Sequence, residues 1–238
     1  MHSPRNLLRL GLTVAVTSLI AGCSAVSSSS GASSQSSASV TPSAVAAPSG
    51  SQLAGILLPV SSMPSGFKAD PSSTRDTGSE LPSDSAAPVP ASHVCQDFTE
   101  TSYIQVGGIT TTDFAQSDYL NGDQTEEIAE EIDVFTGTDA QKVMTSLWQA
   151  FGTCASFKYQ SNGTTVSETL KRSQLPGQGG DAIKAVMVSP AFDGGQTLVA
   201  IRVGPQIITT LDSSSGSDLG SPSVGYAEQV ARRLQAAR

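Results

Sequence analysis

Histidine is almost missing from this chain: of 238 residues, only His2 and His93 carry an imidazole. A nucleophile activated by a histidine base would have to rely on His93, and no Gly-x-Ser-x-Gly elbow accompanies it. Basic residues are outnumbered, 13 against 21 acidic ones, so the positive footprint that a duplex nucleic acid requires is absent. Aromatic residues make up 5% of the chain, with a single tryptophan, Trp148. The glycine-rich stretch LPGQGGD (175–181) has neither the Lys-Ser/Thr ending of a phosphate-cradling loop nor the GxGxxG order of a dinucleotide loop. No cofactor is indicated. The four glutamates at 126, 127, 130 and 131 lack the ligand spacing of a calcium loop, so no metal is expected.

Charge is also absent between Arg9 and Lys68. Arg5 and Arg9 precede an uncharged apolar run that ends Ile20-Ala21-Gly22-Cys23. This layout is that of a secretory signal peptide over 1–22, and its end resembles the lipobox of bacterial lipoproteins. The expectation is a chain cleaved before Cys23, with lipid on the Cys23 sulfur. Two or more acyl chains hold a protein at a membrane because each buried methylene adds roughly 0.8 kcal/mol. Residues 23–52 are mainly Ser, Ala, Gly and Pro, with too little apolar side chain to offset the entropy of ordering, and read as a flexible tether. Loss of the leader removes Arg5 and Arg9, leaving 11 basic residues against 21 acidic ones, a charge of about −10.

The remaining cysteines are Cys95 and Cys154. Outside the cytoplasm such a pair is normally oxidised, and a disulfide is expected. A thiolate nucleophile or a metal pair would need His93 beside Cys95, and nothing else in the sequence supports either.

Residues 53–238 read as one folded domain. Leu53, Ile56 and Leu57 have helical spacing before Pro59 breaks the run, and 70–92 reads as a loop, rich in Pro, Ser, Asp and Gly. A strand is expected near 103–106. FAQSDYL (114–120) meets Asn121-Gly122, a hairpin signal. EEIAEEIDVF reads as a strand, with Ile132 and Val134 on one face and Glu131 and Asp133 on a solvated acidic face. A helix capped by Thr138 carries Ala140, Val143, Met144, Leu147, Trp148 and Phe151 at intervals of three and four. SFKYQ and TVSETLKR form a hairpin across Asn162-Gly163. Three more strands follow, AVMVS, TLVAIRVG and QIITTLD, turning at Gly194-Gly195 and Gly204-Pro205. A closing helix carries Val224, Ala227, Val230, Ala231 and Leu234 inward. Strands, helix, strands, helix gives an α+β class with a twisted, largely antiparallel sheet and helices packed against it.

Four stretches in order carry a family resemblance: LAGILLP, Cys95, DVFTGTDAQKVMTSLWQAFGTC, and the closing strands with AEQVARRL. Together they resemble the extracellular sensor-domain family typified by the mycobacterial kinase PknH, also carried by many actinobacterial lipoproteins. The resemblance covers 53–238 and implies a sheet with packed helices and a cleft of polar and apolar walls for an unidentified ligand. Family members usually carry two disulfides; Cys95 and Cys154 would match the first, and the second is absent. No kinase domain precedes the domain, so a signal would pass to another protein. The expectation is a membrane-anchored, non-catalytic binding protein whose partner is a small molecule, lipid, glycan or envelope protein. Ligand-cleft candidates are Trp148, Tyr159 and Arg202. A structural envelope protein and a carboxylate-dependent hydrolase are the rival readings.

Overall fold

The computed structural model describes residues 47–77, 94–99, 109, 111–161, 163–176, 181–191, 193–215 and 219–238. The expected signal peptide, Cys23, most of the tether, His93, the strand at 103–106 and Asn162 lie outside the described residues. So do 78–92 of the expected loop and 177–180.

The tether ends earlier than its composition suggests. Helix α1 spans Gly50–Ala54, with Gly50 and Leu53 buried, so the folded unit begins near Ala47 rather than Leu53. Ser49 and Gln52 form its capping box, which gives a five-residue helix a defined start. Residues 70–77, the opening of the expected loop, hold a turn in which Ser72 and Ser73 donate to the Asp70 carboxylate. Two short strands flank that turn, β1 (Lys68–Ala69) and β2 (Arg75–Asp76).

Helix α2 (Val94–Asp97) is followed by β3 (Asp113–Leu120) and β4 (Glu127–Val134). The hairpin between β3 and β4 is longer than a two-residue turn. The Asn121 Oδ1 accepts the backbone N–H groups of Thr125 and Glu126, and Gln124 takes φ 60°. Helix α3 (Asp139–Thr153) comes next, then β5 (Ser156–Ser161), β6 (Thr164–Gln174), β7 (Ala182–Val188), β8 (Gly195–Val203), β9 (Gln206–Ser214) and α4 (Ser221–Ala236). Thr138 precedes α3 as expected, yet its side chain makes no capping bond; Thr136 instead donates to Asp139 in the first turn.

The strands form one nine-stranded antiparallel sheet in the order β1-β3-β4-β9-β8-β7-β6-β5, with β2 also on the outer edge of β3. The α+β class is as the sequence order implied. Alternation along β8 divides the core. Val199, Ile201 and Val203 face α1 and α4, while Leu198 and Ala200 face α3. Helix α4 buries Ala227, Val230, Ala231 and Leu234 on the first face, and Ser223 locks its first turn to β9 through Thr210. Helix α3 buries Ala140, Val143, Met144, Leu147 and Phe151 on the second. Cys154, at the end of α3, bonds to Cys95 of α2 with a Cα–Cα distance of 5.4 Å, so the expected disulfide is present.

The β7–β8 turn depends on Gly194, whose φ is +83°. A Cβ there would also collide with the Ser214 carbonyl oxygen. Gly194→Ala is expected to destabilise the domain by about 2 kcal/mol or more, since it combines left-handed backbone strain with a backbone clash. Urea unfolding measures this, and an unchanged midpoint would contradict the geometry.

Candidate functional site

The acidic run on β4 departs furthest from its sequence reading. Glu131 and Asp133 do share a face, opposite Ile132 and Val134, but that face is not solvated. Exposure is 0% for Glu130, 2% for Glu131 and 3% for Asp133. The reason is position. β4 lies between β3 and β9, so neither of its edges is open, and both its faces are covered. Burying a carboxylate favours its neutral form unless partners compensate. Burial accordingly pushes Glu130 up to about 8, although the Leu58 N–H donated to its Oε2 at 3.0 Å and the nearby Arg233 charge both oppose the shift. Burial also raises Asp133 to about 8 and holds Glu131 well above the usual carboxylate range, with the adjacent Asp133 adding to the effect. The burial of Glu131 and Asp133 overturns the expectation of a solvated acidic face. Among the described residues, no cluster of His, Cys, Asp and Glu has the arrangement of a metal site.

At the edge of β3, next to β4, lies a cleft of about 350 Å³. Its apolar wall is the α1–Pro59 segment, including Leu57 and Leu58; its polar wall holds Thr74, Arg75, Gln116, Ser117 and Arg233, with one carboxylate, Asp76, beside Arg75. Tyr119 stands between the two walls and donates its hydroxyl to the Leu58 carbonyl. Leu58 is thus held from both sides, its N–H by Glu130 and its carbonyl by Tyr119. Arg233, on α4, donates to the Gly55 carbonyl at 2.9 Å. Arg75, on β2, donates its Nε to Gln116 Oε1 at 3.0 Å and lies 5.7 Å from the Phe114 ring centre. Gln116 in turn donates to Asp118 at 3.0 Å, and Arg75 lies close enough to the Glu131 carboxylate to favour its charge.

A guanidinium carries five N–H donors in a planar fork suited to carboxylate or phosphate. Arg75 and Arg233 each commit one of them to the bonds above. A cleft with two such forks on one wall and aliphatic side chains on the other can take a molecule with an anionic end and an apolar body. Glu131 and Asp133 do not line it.

The three residues singled out from sequence sit elsewhere. Trp148 is half-buried on the flank of α3, beneath the Arg172 guanidinium at 4.1 Å, and its carbonyl accepts a hydrogen bond from Arg172 Nη1. Tyr159 lies on β5, stacked with Phe157 at 6.1 Å, its hydroxyl 3.4 Å from Glu168. Arg202 shares the Leu198–Ala200 face, as plain alternation implies, and its nearby anion is Asp181 of the same chain. Its Nη1 also donates to the Gly204 carbonyl at 2.9 Å. All three project from the α3 side of the sheet, but none lines the cleft at β3. Sequence reading passed over the cleft residues because Arg75 fell in an apparent loop and Arg233 in a helix that looked merely amphipathic.

No known family model matches the chain, and no curated protein matches it in sequence. Among solved structures it is similar to the extracellular domain of PknH from Mycobacterium tuberculosis, with a TM-score of 0.62 and 11% identity over 79% of this chain and 97% of that one. At that identity the likeness is one of fold, and it is the fold that the sequence resemblance implied.

Proposed function

We propose that this protein is an extracytoplasmic, lipid-anchored binding protein of the sensor type. Its cleft between α1 and β3 takes a small amphiphile bearing a carboxylate or phosphate. The single observation that carries the reading is the pairing of Arg75 and Arg233 with the Leu57–Leu58 wall around one cavity. The likeness in fold to an extracellular domain and the lipobox ending at Cys23 support the location. No helix among the described residues is long and apolar enough to cross a membrane, which is compatible with attachment through lipid. We read the site as non-catalytic, because the carboxyls with raised pKa lie outside the cleft rather than around a reacting group.

Thermal shift against matched pairs of anionic and neutral amphiphiles tests the proposal. Anionic members should raise the melting temperature and neutral ones should not. Arg75→Gln should weaken binding by about tenfold or more, the loss of one charge-assisted contact of roughly 1.5–3 kcal/mol. Equal responses to both members of each pair, or an Arg75→Gln variant that binds like the parent, would count against it.

A further inference from the structure

Helix α4 packs across β8 and β9 and reaches β7, where Ala182 is buried in its cluster, whereas the same-face residues of β5 and β6, Lys158, Ser167, Thr169, Lys171 and Ser173, are exposed. The side chains there follow from register. Lys158 pairs with Ser167, Lys171 with Val186, and Ser173 with Lys184, so all three lysines project from one face. Leu170, Ile183 and Met187 project from the other, into the α3 core. Lys158 and Lys171 are exposed and Lys184 is half-buried, its stem beside Gly220 at the start of α4. Exposed hydroxyls, Ser167 and Thr169 among them, fill the floor between Lys158 and Lys171.

Three of the five lysines in the chain therefore stand on one open surface of a protein with a formal charge of −8. The only acidic residue in β5, β6 or β7 is Glu168, and it faces the opposite side with Phe157. Charges further away than about 8 Å are largely screened at physiological salt, so this local surface governs what approaches it.

We infer that this face is a docking surface for a linear anionic polysaccharide. Charge complementarity selects an anion. Adjacent strands lie about 4.8 Å apart and strand residues on one face recur about every 7 Å, which places Lys158 and Lys171 roughly 14 Å apart, with Lys184 next to Lys171. That spacing follows an extended polymer rather than one compact anion. The wall formed by α4 beside the floor makes a step that admits a chain and obstructs a planar membrane. Phe157 and Tyr159 lie on the opposite face, so the described strand residues of the floor offer no ring on which nucleic-acid bases or neutral sugars stack. Hydroxyls remain to meet sugar hydroxyls. The surface is separate from the cleft at β3 and does not depend on it.

Binding of the full chain to a uronate polymer, alginate, tests the inference, with neutral dextran, single-stranded DNA and anionic phospholipid vesicles as parallel probes. Alginate should bind, and a polyanion meeting three cations should weaken by roughly 20- to 40-fold between 50 and 200 mM salt. The triple variant Lys158→Gln, Lys171→Gln, Lys184→Gln should lose at least tenfold in affinity. Its fold should be unchanged by circular dichroism, because Lys158 and Lys171 are solvent-facing. Lys142→Gln, on α3, should bind like the parent. No binding to alginate, equal binding to dextran, stronger binding to DNA or vesicles, or indifference to the triple substitution would each overturn the inference.

Discussion

Glu130→Gln should make the protein more stable, and increasingly so as pH rises. The Glu130 carboxyl is fully buried, and burial holds its pKa near 8, against an ordinary value of 4.5. Between those two values the folded state keeps a proton that the unfolded state has released. Stability therefore falls as pH rises through this window. The contribution is intact below about pH 4.5 and is fully lost above about pH 8, where both states are ionised. At 1.36 kcal/mol per pKa unit the loss at pH 8 is at most about 5 kcal/mol. Glutamine retains a carbonyl oxygen to accept the Leu58 N–H, and it does not ionise. The variant and the parent should have similar midpoints near pH 4.5 and diverge steadily, by roughly 10 °C in melting temperature at pH 8. Burial raises Asp133 and Glu131 as well, so the parent should be most stable in mildly acidic solution. Calorimetric scans from pH 4 to pH 9 measure this, and parallel pH profiles for the two proteins would refute the burial argument.

The second large effect concerns the Cys95–Cys154 bridge. It closes a loop with a sequence separation of 59, and on the chain-entropy model such a loop takes about 4 kcal/mol from the unfolded state's advantage. The bridge also has a local function. Phe98, fully buried just beyond α2, meets Phe151 of α3 edge-on with ring centres 4.9 Å apart. Cys154 is buried in the same cluster. Without the bridge, the four-residue α2 would depend on Phe98 and its neighbours to stay on the sheet. A Cys95→Ala, Cys154→Ala variant should melt roughly 10 °C lower, with hydrogen-exchange protection lost first around α2. A melting temperature within about 2 °C of the parent would show that packing alone holds α2.

Much of the fold was legible because local patterns were strong. The interval of three and four along α3 and the alternation along β8 and β9 marked elements whose apolar faces are indeed buried. Alternation along β8 alone suffices to put Arg202 on the Leu198–Ala200 face, where it lies. Alternation also put Glu131 and Asp133 together, yet it does not reveal what covers a face. In a sheet with helices on both sides, a strand between two neighbours can bury its acidic face as completely as its apolar one. Glu130 was harder still to read, since it shares a face with Ile128 and Ile132 and its partner, the Leu58 N–H, lies 72 residues away. The cleft was illegible for the same reason. Arg75, Tyr119 and Arg233 come from β2, β3 and α4, and no local spacing connects them. The lysines at 158, 171 and 184 look scattered in sequence, and only the register of β5, β6 and β7 collects them.

The proposed function rests on occupation of the cleft between α1 and β3. Native mass spectrometry of the oxidised full chain secreted by an actinobacterial host tests it most directly, beside an Ala54→Trp variant. Ala54 is exposed on α1 and lines the cleft, so an indole there fills the space while leaving the bonds of Glu130, Tyr119 and Arg233 intact. The account predicts that the parent carries an additional mass, released on denaturation and belonging to an anionic amphiphile, and that Ala54→Trp is bare. A bare parent that also gains no mass from added anionic amphiphiles, or an adduct retained by Ala54→Trp, would contradict it.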